Sequence, residues 1–110
     1  MPALFLESSA IVKRYASETG SAWVVNITDP VSGNQIYLAR ITEVEVASAI
    51  TRRTREGKIS VADADVAIQD LHNDFAHQYR VVEIAEDLIA KAISLVRAES
   101  VRRCAIGICA

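Results

Sequence analysis

Two glutamates, Glu7 and Glu45, occupy positions in this sequence that suit chemistry on a phosphate group. Glu7 directly follows the apolar run ALFL, and Glu45 lies early in the helical segment after a second apolar run, QIYLAR. Carboxylate oxygens are the ligands that Mg²⁺ and Mn²⁺ prefer, and such ions keep waters for a substrate phosphate. Acids that follow neighbouring parallel strands meet at one edge of the sheet. The pattern therefore predicts a divalent-metal site, with Glu7 and Glu45 as ligands, that supports phosphodiester cleavage.

Each glutamate also has an interpretation that needs no metal. Thr42 and Glu45 have the spacing of a capping box, in which a threonine N-cap and a later glutamate bond each other's backbone N–H groups. Glu43 is then a solvated first-turn acid favoured by the helix dipole. Glu7 is either an exposed strand end or an acid beside a buried strand that needs a partner, water or a metal.

Other polar residues give weaker signals. His72 and His77 do not have the four-residue spacing of a helical metal pair, and we interpret them as surface residues. Four cations cluster within a short stretch: Arg52, Arg53, Arg55 and Lys58. Such a cluster is typical of a solvated helix surface, and it leaves open a local basic patch for nucleic acid.

The elements that position these residues alternate between short apolar runs and helical patterns. Strands are predicted over 3–6, 35–40 and 80–84. Helices are predicted over AIVKRYA, SAWVVNIT, EVEVASAITRRTREG, VADADVAIQDLHNDFAHQY and EDLIAKAISLVRAES. Ser8 or Ser9 is predicted to cap the first helix and Ser60 the fourth, and Gly57 to follow the C-terminus of the third.

This alternation indicates an α/β fold with a central parallel sheet and helices on its faces. The first strand is expected to be fully buried, as in other parallel sheets. The last helix is expected to turn a set of apolar residues inward: Leu88, Ile89, Ala92, Ile93 and Val96.

Composition bounds the class of protein. The chain of 110 residues, 51% of them hydrophobic, with a net charge of −2, fits a single globular domain over 1–110. No apolar run is long enough to cross a bilayer, and the N-terminus lacks the basic region of a signal peptide. Cys104 and Cys109 fit no zinc spacing and are interpreted as free thiols. A cytoplasmic protein is expected.

Two stretches resemble the PIN-domain toxin ribonucleases of the VapC type. FLESSAIVKRYASETGS is similar to the opening of these proteins, where a strand ends in a motif such as LDSSAIVK, and YLARITEVEVASAITRR is similar to their second strand and following helix. The resemblance extends over about residues 1–103. It implies a three-layer α/β/α sandwich that cleaves single-stranded RNA with Mg²⁺ or Mn²⁺. It also implies a cognate antitoxin as partner and often a homodimer.

The resemblance assigns the family's first acid to Glu7, the neighbouring hydroxyl to Ser8 and the second acid to Glu45. The sequence departs from the family in two of these motifs. The first acid of the family is Asp, and a later motif such as RGYDAIxLA carries an Asp where this chain has Cys104 or Ala105 in RRCAIGICA. The family continues through further elements, and no Asp or Glu follows Glu99 here, so the domain is expected to lack its last elements.

Three hypotheses follow. The first is a metal-dependent endoribonuclease of a type II toxin–antitoxin system whose activity is impaired by these departures. The second is a non-catalytic PIN remnant that binds an antitoxin or another copy of the chain. The third is an unrelated flavodoxin-like ligand-binding domain, which the acid at Glu7 disfavours because it would repel a phosphate at the loop after the first strand.

Overall fold

The computed structural model describes the backbone of residues 2–105 and the side chains of residues 2–99, and its elements follow the predicted order. Three parallel strands form a sheet in the order β1-β2-β3: β1 (Ala3–Phe5), β2 (Gln35–Ala39) and β3 (Arg80–Val82). The helices are α1 (Ser8–Tyr15), α2 (Ser21–Thr28), α3 (Ile41–Arg55), α4 (Val61–His77) and α5 (Glu86–Ala105), with a short 3-10 turn over Pro30–Ser32. An α/β domain with a parallel sheet is thus confirmed.

Several element boundaries are set by local signals that the sequence carries. The Ser60 hydroxyl accepts a hydrogen bond from the Asp63 N–H at 3.0 Å, which confirms it as the N-cap of α4. Gly57 follows the end of α3 with a φ of +73°, a left-handed conformation that an L residue rarely adopts. These two residues therefore reverse the chain between α3 and α4.

Two predicted caps are wrong. Helix α3 begins at Ile41 with Arg40 as its N-cap, and Thr42 is a buried helical residue. The Arg40 N–H bonds the Val82 carbonyl of the neighbouring strand at 3.0 Å, and α3 begins at the next residue. Likewise Glu7, not Ser8 or Ser9, is the N-cap of α1, and no side chain bonds the first turn there.

The core lies on one face of the sheet. Ile36 and Leu38 of β2 are buried beneath α1, α3 and α4. These helices contribute most of the other buried members of the cluster: Ile11, Val12, Val46, Ile50, Ala64, Leu71 and Phe75. Tyr79, after α4, completes it. Leu4 of β1 and Val81 of β3, which flank β2 in register, pack against the same cluster. Alternation along each strand thus directs one set of side chains into a single core.

The opposite face of the sheet is more exposed, and the prediction that β1 is fully buried is wrong. Phe5 pairs in register with Tyr37, and its side chain is 61% exposed. Ala3, two residues earlier on the same face, is also exposed. The described residues therefore form two layers, and the third layer of the expected sandwich remains a prediction.

The prediction that α5 turns its apolar residues inward is also wrong. Helix α5 has no substantial packing against any other described element. Its large apolar side chains are exposed: Leu88, Ile89, Ile93, Leu95 and Val96. The apolar pattern identifies a helix with an apolar side, but it does not specify the surface that covers it. Within residues 2–105, no helix has both the length and the apolarity needed to cross a membrane.

A polar network joins α1 to the end of α4. The Tyr15 hydroxyl donates to Asp74 Oδ2 at 2.6 Å and shares a very short hydrogen bond with the Tyr79 hydroxyl. Arg14 Nη1 donates to the Tyr79 hydroxyl at 2.8 Å. Burial raises the pKa of Tyr79 to about 12. Burial, together with Tyr79 and Asp74, raises the pKa of Tyr15 above its ordinary value of 10.0. The fold thus holds both phenols in their neutral form.

Alkaline solution should destabilise the fold through this network. Because the folded pKa values are raised, the unfolded phenols lose protons first, near pH 10. Their stabilisation is complete below about pH 10 and is lost as the pH rises through the raised folded pKa values, of which that of Tyr79 is about 12. Tyr15→Phe should lower the free energy of unfolding by about 1–2 kcal/mol at neutral pH and flatten the alkaline decline, as measured by urea unfolding. Tyr37→Phe, on the opposite face, is the control. An equally steep decline in Tyr15→Phe would contradict this assignment.

Candidate functional site

The carboxyl edge of the sheet is closed by an ion pair between the ends of β2 and β3. Arg40 follows β2, Glu83 follows β3, and Arg40 Nε donates to Glu83 Oε1 at 3.0 Å. The hydrogen bond from Arg40 lowers the pKa of Glu83 below its usual value. Both side chains are more than half exposed, so the pair contributes little to stability.

A groove lies between α1 and α3, beside this edge. Its polar lining comes from six residues: Ser8, Ser9, Glu45, Ser48, Arg52 and Arg53. Val12, Val44 and Ala49 lie between them, and the groove has a volume of about 430 Å³. We call it the α1/α3 groove. It brings together two stretches of sequence that carry the predicted site residues.

The structure places Ser8 and Glu45 in the α1/α3 groove. Ser8 is the first residue of α1, and Glu45 lies in the second turn of α3. Glu7 is the exposed N-cap directly before Ser8, but it is not among the residues that line the groove. The hydrogen bond from the Leu6 N–H to the Tyr37 carbonyl, at 3.1 Å, brings the chain to this position. The convergence of Glu7 and Glu45 on one ion therefore stays a prediction.

The two glutamates are exposed and unpaired among the described residues. Neither carboxylate makes a hydrogen bond or an ion pair with any side chain or backbone group in residues 2–99. Because α3 begins at Ile41, Glu45 takes no part in a capping box, and that interpretation of it is wrong. Of the two interpretations of Glu7, the exposed strand end fits its position. Both carboxylates are thus accessible to a ligand from solvent.

Glu43 has a different environment, although it lies only two residues from Glu45. Its Oε2 atom lies 3.1 Å from Nδ1 of His72, which is on α4. The His72 side chain is mostly exposed and Glu43 is partly shielded. This contact joins α3 to α4. Glu43 is therefore a structural partner of His72 rather than the fully solvated acid that the sequence predicts.

Glu18 forms ion pairs with two cations, Lys13 and Arg53. Arg53 also lines the α1/α3 groove. Its Oε1 atom accepts a hydrogen bond from Lys13 Nζ at 2.9 Å, and its Oε2 atom accepts one from Arg53 Nη2. The hydrogen bond from Lys13, with help from Arg53, lowers the pKa of Glu18 below its ordinary value of 4.5. Arg53 Nη1 is buried and has no hydrogen-bond acceptor among the described residues. Such a buried, unsatisfied donor costs about 1–3 kcal/mol.

A Mg²⁺ or Mn²⁺ ion held by Glu7 and Glu45 stays a prediction. No group of three or more His, Cys, Asp or Glu side chains within the described part of the chain is arranged to hold a metal. Mg²⁺ often binds through only one or two carboxylates, keeping several waters and a substrate phosphate. Glu45 and Glu7 have this chemistry, and their exposure leaves room for the waters.

The sequence did not assign two acids to the carboxyl edge in the way the structure does. Glu83 lies just beyond β3, because that strand ends at Val82 rather than at Ile84 as predicted. Glu43 lies beside it in a cleft that also contains Arg40. If the third strand had been predicted to end at Val82, Glu83 would have been identified as a residue that follows a strand. The contact of Glu43 with His72 joins residues far apart in sequence, and no local pattern indicates it.

Comparisons with known proteins give no independent assignment. The chain matches no protein-family model and no curated protein sequence. Support for a function therefore comes from the α1/α3 groove, the carboxyl edge of the sheet and the two sequence motifs.

Removing the Glu18 carboxylate should weaken the fold only when that carboxylate is charged. Because its pKa is lowered, its stabilisation is present above about pH 4.5 and is lost as the pH falls through the lower folded value. Glu18→Gln should therefore lower the free energy of unfolding at pH 7 by less than about 1 kcal/mol. Glu45→Gln, which breaks no contact, is the control. A deficit of Glu18→Gln that persists unchanged at acidic pH would rule out this role for its charge.

Proposed function

We propose that this chain is a PIN-type, VapC-like ribonuclease domain that cleaves single-stranded RNA slowly with Mg²⁺ or Mn²⁺. One observation carries the proposal: Ser8 and the unpaired Glu45 line the same groove beside the carboxyl edge of the sheet. In open parallel α/β sheets, ligands bind at this edge. The two segments that meet there are also the two that resemble the toxin family.

The wider family properties belong to the same proposal. They comprise a three-layer sandwich, a type II toxin–antitoxin system, a cognate antitoxin as partner and a cytoplasmic site of action. The parallel sheet and the order of its strands and helices are compatible with them. Support for the toxin assignment comes from the two sequence motifs.

The side chains of the site have distinct proposed roles. Glu45, with Glu7, supplies the carboxylates that hold the ion, and the Ser8 hydroxyl donates a hydrogen bond to a ligand in the α1/α3 groove. When bound, a divalent ion of this kind activates water and stabilises negative charge on the phosphorus oxygens. The exposed position of Glu45 admits a long polymeric substrate, as cleavage within an RNA strand requires.

Two sequence features support slow turnover. Glu7 stands where the family has Asp, and its extra methylene shifts a carboxylate that must meet the strict geometry of Mg²⁺. Cys104 or Ala105 stands where the family has a further Asp. A missing ligand misplaces the attacking water, and small misplacements reduce rates by orders of magnitude. Asp87, in the first turn of α5, or a second copy of the chain is an alternative source of the missing ligand.

Glu45→Gln should abolish the slow cleavage of single-stranded RNA that the wild-type protein shows with Mn²⁺, and Glu7→Gln should reduce it. Glu43→Gln is the matched control, because Glu43 lies on the same helix but bonds His72. Cleavage is followed on an end-labelled oligoribonucleotide by gel electrophoresis. Equal background in the wild-type and Glu45→Gln proteins would show that the chain is not a ribonuclease. Rapid cleavage by the wild type would contradict the slow turnover.

A second candidate function is non-catalytic binding to an antitoxin or to another copy of the chain. The exposed apolar side chains of α5 favour it, together with Phe5 on the open face of the sheet. Large exposed apolar patches are typical of protein–protein contact sites. Ile106 and Ile108, which the sequence predicts to extend this apolar surface, lie outside the described residues. This function does not require Glu45, so the cleavage experiment separates the two candidates.

If α5 mediates self-association, the protein should form a dimer whose population rises with concentration. Ile89→Glu and Ile93→Glu should shift it towards the monomer, because each places a charge on the apolar side of α5. Val66→Glu provides the control, since Val66 is similarly exposed but lies on α4. Light scattering coupled to size-exclusion chromatography measures the mass. A monodisperse monomer at high concentration would exclude this dimer.

A further inference from the structure

The side of the α1/α3 groove formed by α3 carries two cations and a hydroxyl. Arg52 and Arg53 line it from α3, with Ser48 one turn earlier on the same helix. Glu45 is the one acid among the groove's described lining residues, so guanidinium groups outnumber carboxylates there. The chain as a whole carries a net charge of −2, so this excess is local.

The guanidinium of Arg53 is held in a fixed orientation with one nitrogen unused. Glu18 accepts a hydrogen bond from Nη2, whereas Nη1 finds no acceptor among the described residues. Glu18 is itself fixed by Lys13 at 2.9 Å. A planar guanidinium presents its donors in a rigid fork that matches the oxygens of a phosphate. Arg53 lines the groove, and its buried Nη1 is a donor that the described residues leave unsatisfied.

Arg52 is the more accessible of the two cations. Its side chain is 65% exposed, and its only partner among the described residues is Glu56, at a long 3.9 Å. An exposed pair of this kind is easily exchanged for another anion. Arg52 can therefore turn to a ligand without losing a strong contact in the fold.

We propose that Arg52 and Arg53, together with the Ser48 hydroxyl, bind a backbone phosphate of single-stranded RNA next to the one that is cleaved. This assignment rests on the proposed ribonuclease function and adds the substrate contact to it. Arginine and serine side chains are common phosphate ligands in nucleic-acid complexes. A groove of about 430 Å³ accommodates a phosphate with its sugar. Glu45 at the upper end of the groove then lies beside the bound strand.

The test is RNA binding in the absence of metal, so that it does not depend on turnover. A fluorescent single-stranded oligouridylate is titrated with protein in EDTA at several salt concentrations, and anisotropy gives the affinity. Arg52→Gln should weaken binding and reduce the slope of log affinity against log salt by about 0.7, the value for one phosphate contact on a single strand. Arg53→Gln should act in the same direction. Arg53→Lys should recover the salt slope but not the full affinity, because it retains charge without the fork.

Arg55→Gln and Lys58→Gln are the matched controls. They remove the same charge near the same end of α3, but neither residue lines the α1/α3 groove. The proposal expects both to bind RNA as the wild type does. Equal losses in Arg52→Gln and Arg55→Gln would indicate diffuse attraction and overturn it, as would wild-type protein that does not bind the oligonucleotide. Equal competition by polyglutamate at matched charge would indicate an acidic protein ligand and also overturn it.

The outcomes distinguish this proposal from the ribonuclease proposal itself. If Mn²⁺-dependent cleavage requires Glu45 while Arg52→Gln binds RNA normally, the ribonuclease assignment stands and the phosphate contact is wrong. If RNA binding requires Arg52 while no protein cleaves RNA, the phosphate contact stands and the ribonuclease assignment is wrong.

Discussion

Burial of Ile36 and Leu38 on one face of β2 is the constraint on which the positions of α1, α3 and α4 depend. These side chains are 4% and 0% exposed, and each helix contributes residues to the cluster around them. Burying a side chain of this size contributes about 1.5–3 kcal/mol. Helices that must cover the same strand are forced to pack against one another. The groove between α1 and α3 is a consequence of that packing.

The same packing separates the roles of neighbouring acidic residues. Glu43 is directed towards α4 and bonds His72, whereas Glu45 faces α1 and has no partner in the described part of the chain. Positions two residues apart on a helix point to different sides. The polar network of Tyr15 and Tyr79 joins α1 to α4 at another point. Glu43 and the tyrosine network therefore lie outside the groove that Glu45 lines.

The sequence predicted the number, type and order of the elements because turn residues and apolar periodicity are local signals. Ser60 and Gly57 act as expected, since a cap or a left-handed turn depends on neighbouring residues alone. Thr42 does not cap α3, because Arg40 is already fixed by the adjacent strand. The exposure of α5 could not be predicted from local sequence either, because an apolar side of a helix does not indicate which surface packs against it.

The candidate site was predicted in part. Motif and spacing identified Glu45 and Ser8, which the fold brings into one groove. Arg52 and Arg53 appeared in the sequence only as members of a basic cluster. The fold distinguishes them from Arg55, which lies on another side of α3, and from Lys58, which lies beyond the end of α3. The ion pair between Glu18 and Arg53 could not be predicted from their separation in the sequence, because Glu18 follows α1 and Arg53 lies on α3.

We propose that Glu45 of the α1/α3 groove, together with Glu7, holds a divalent ion. Anomalous diffraction from crystals grown with Mn²⁺ tests it most directly, because the signal locates the ion without reference to activity. We expect a peak in the part of the groove lined by Ser8 and Glu45, about 2.1 Å from a carboxylate oxygen of Glu45, with Glu7 as its second protein ligand. A peak only at other carboxylates, or none beside a well-ordered Glu45 at millimolar Mn²⁺, would contradict it.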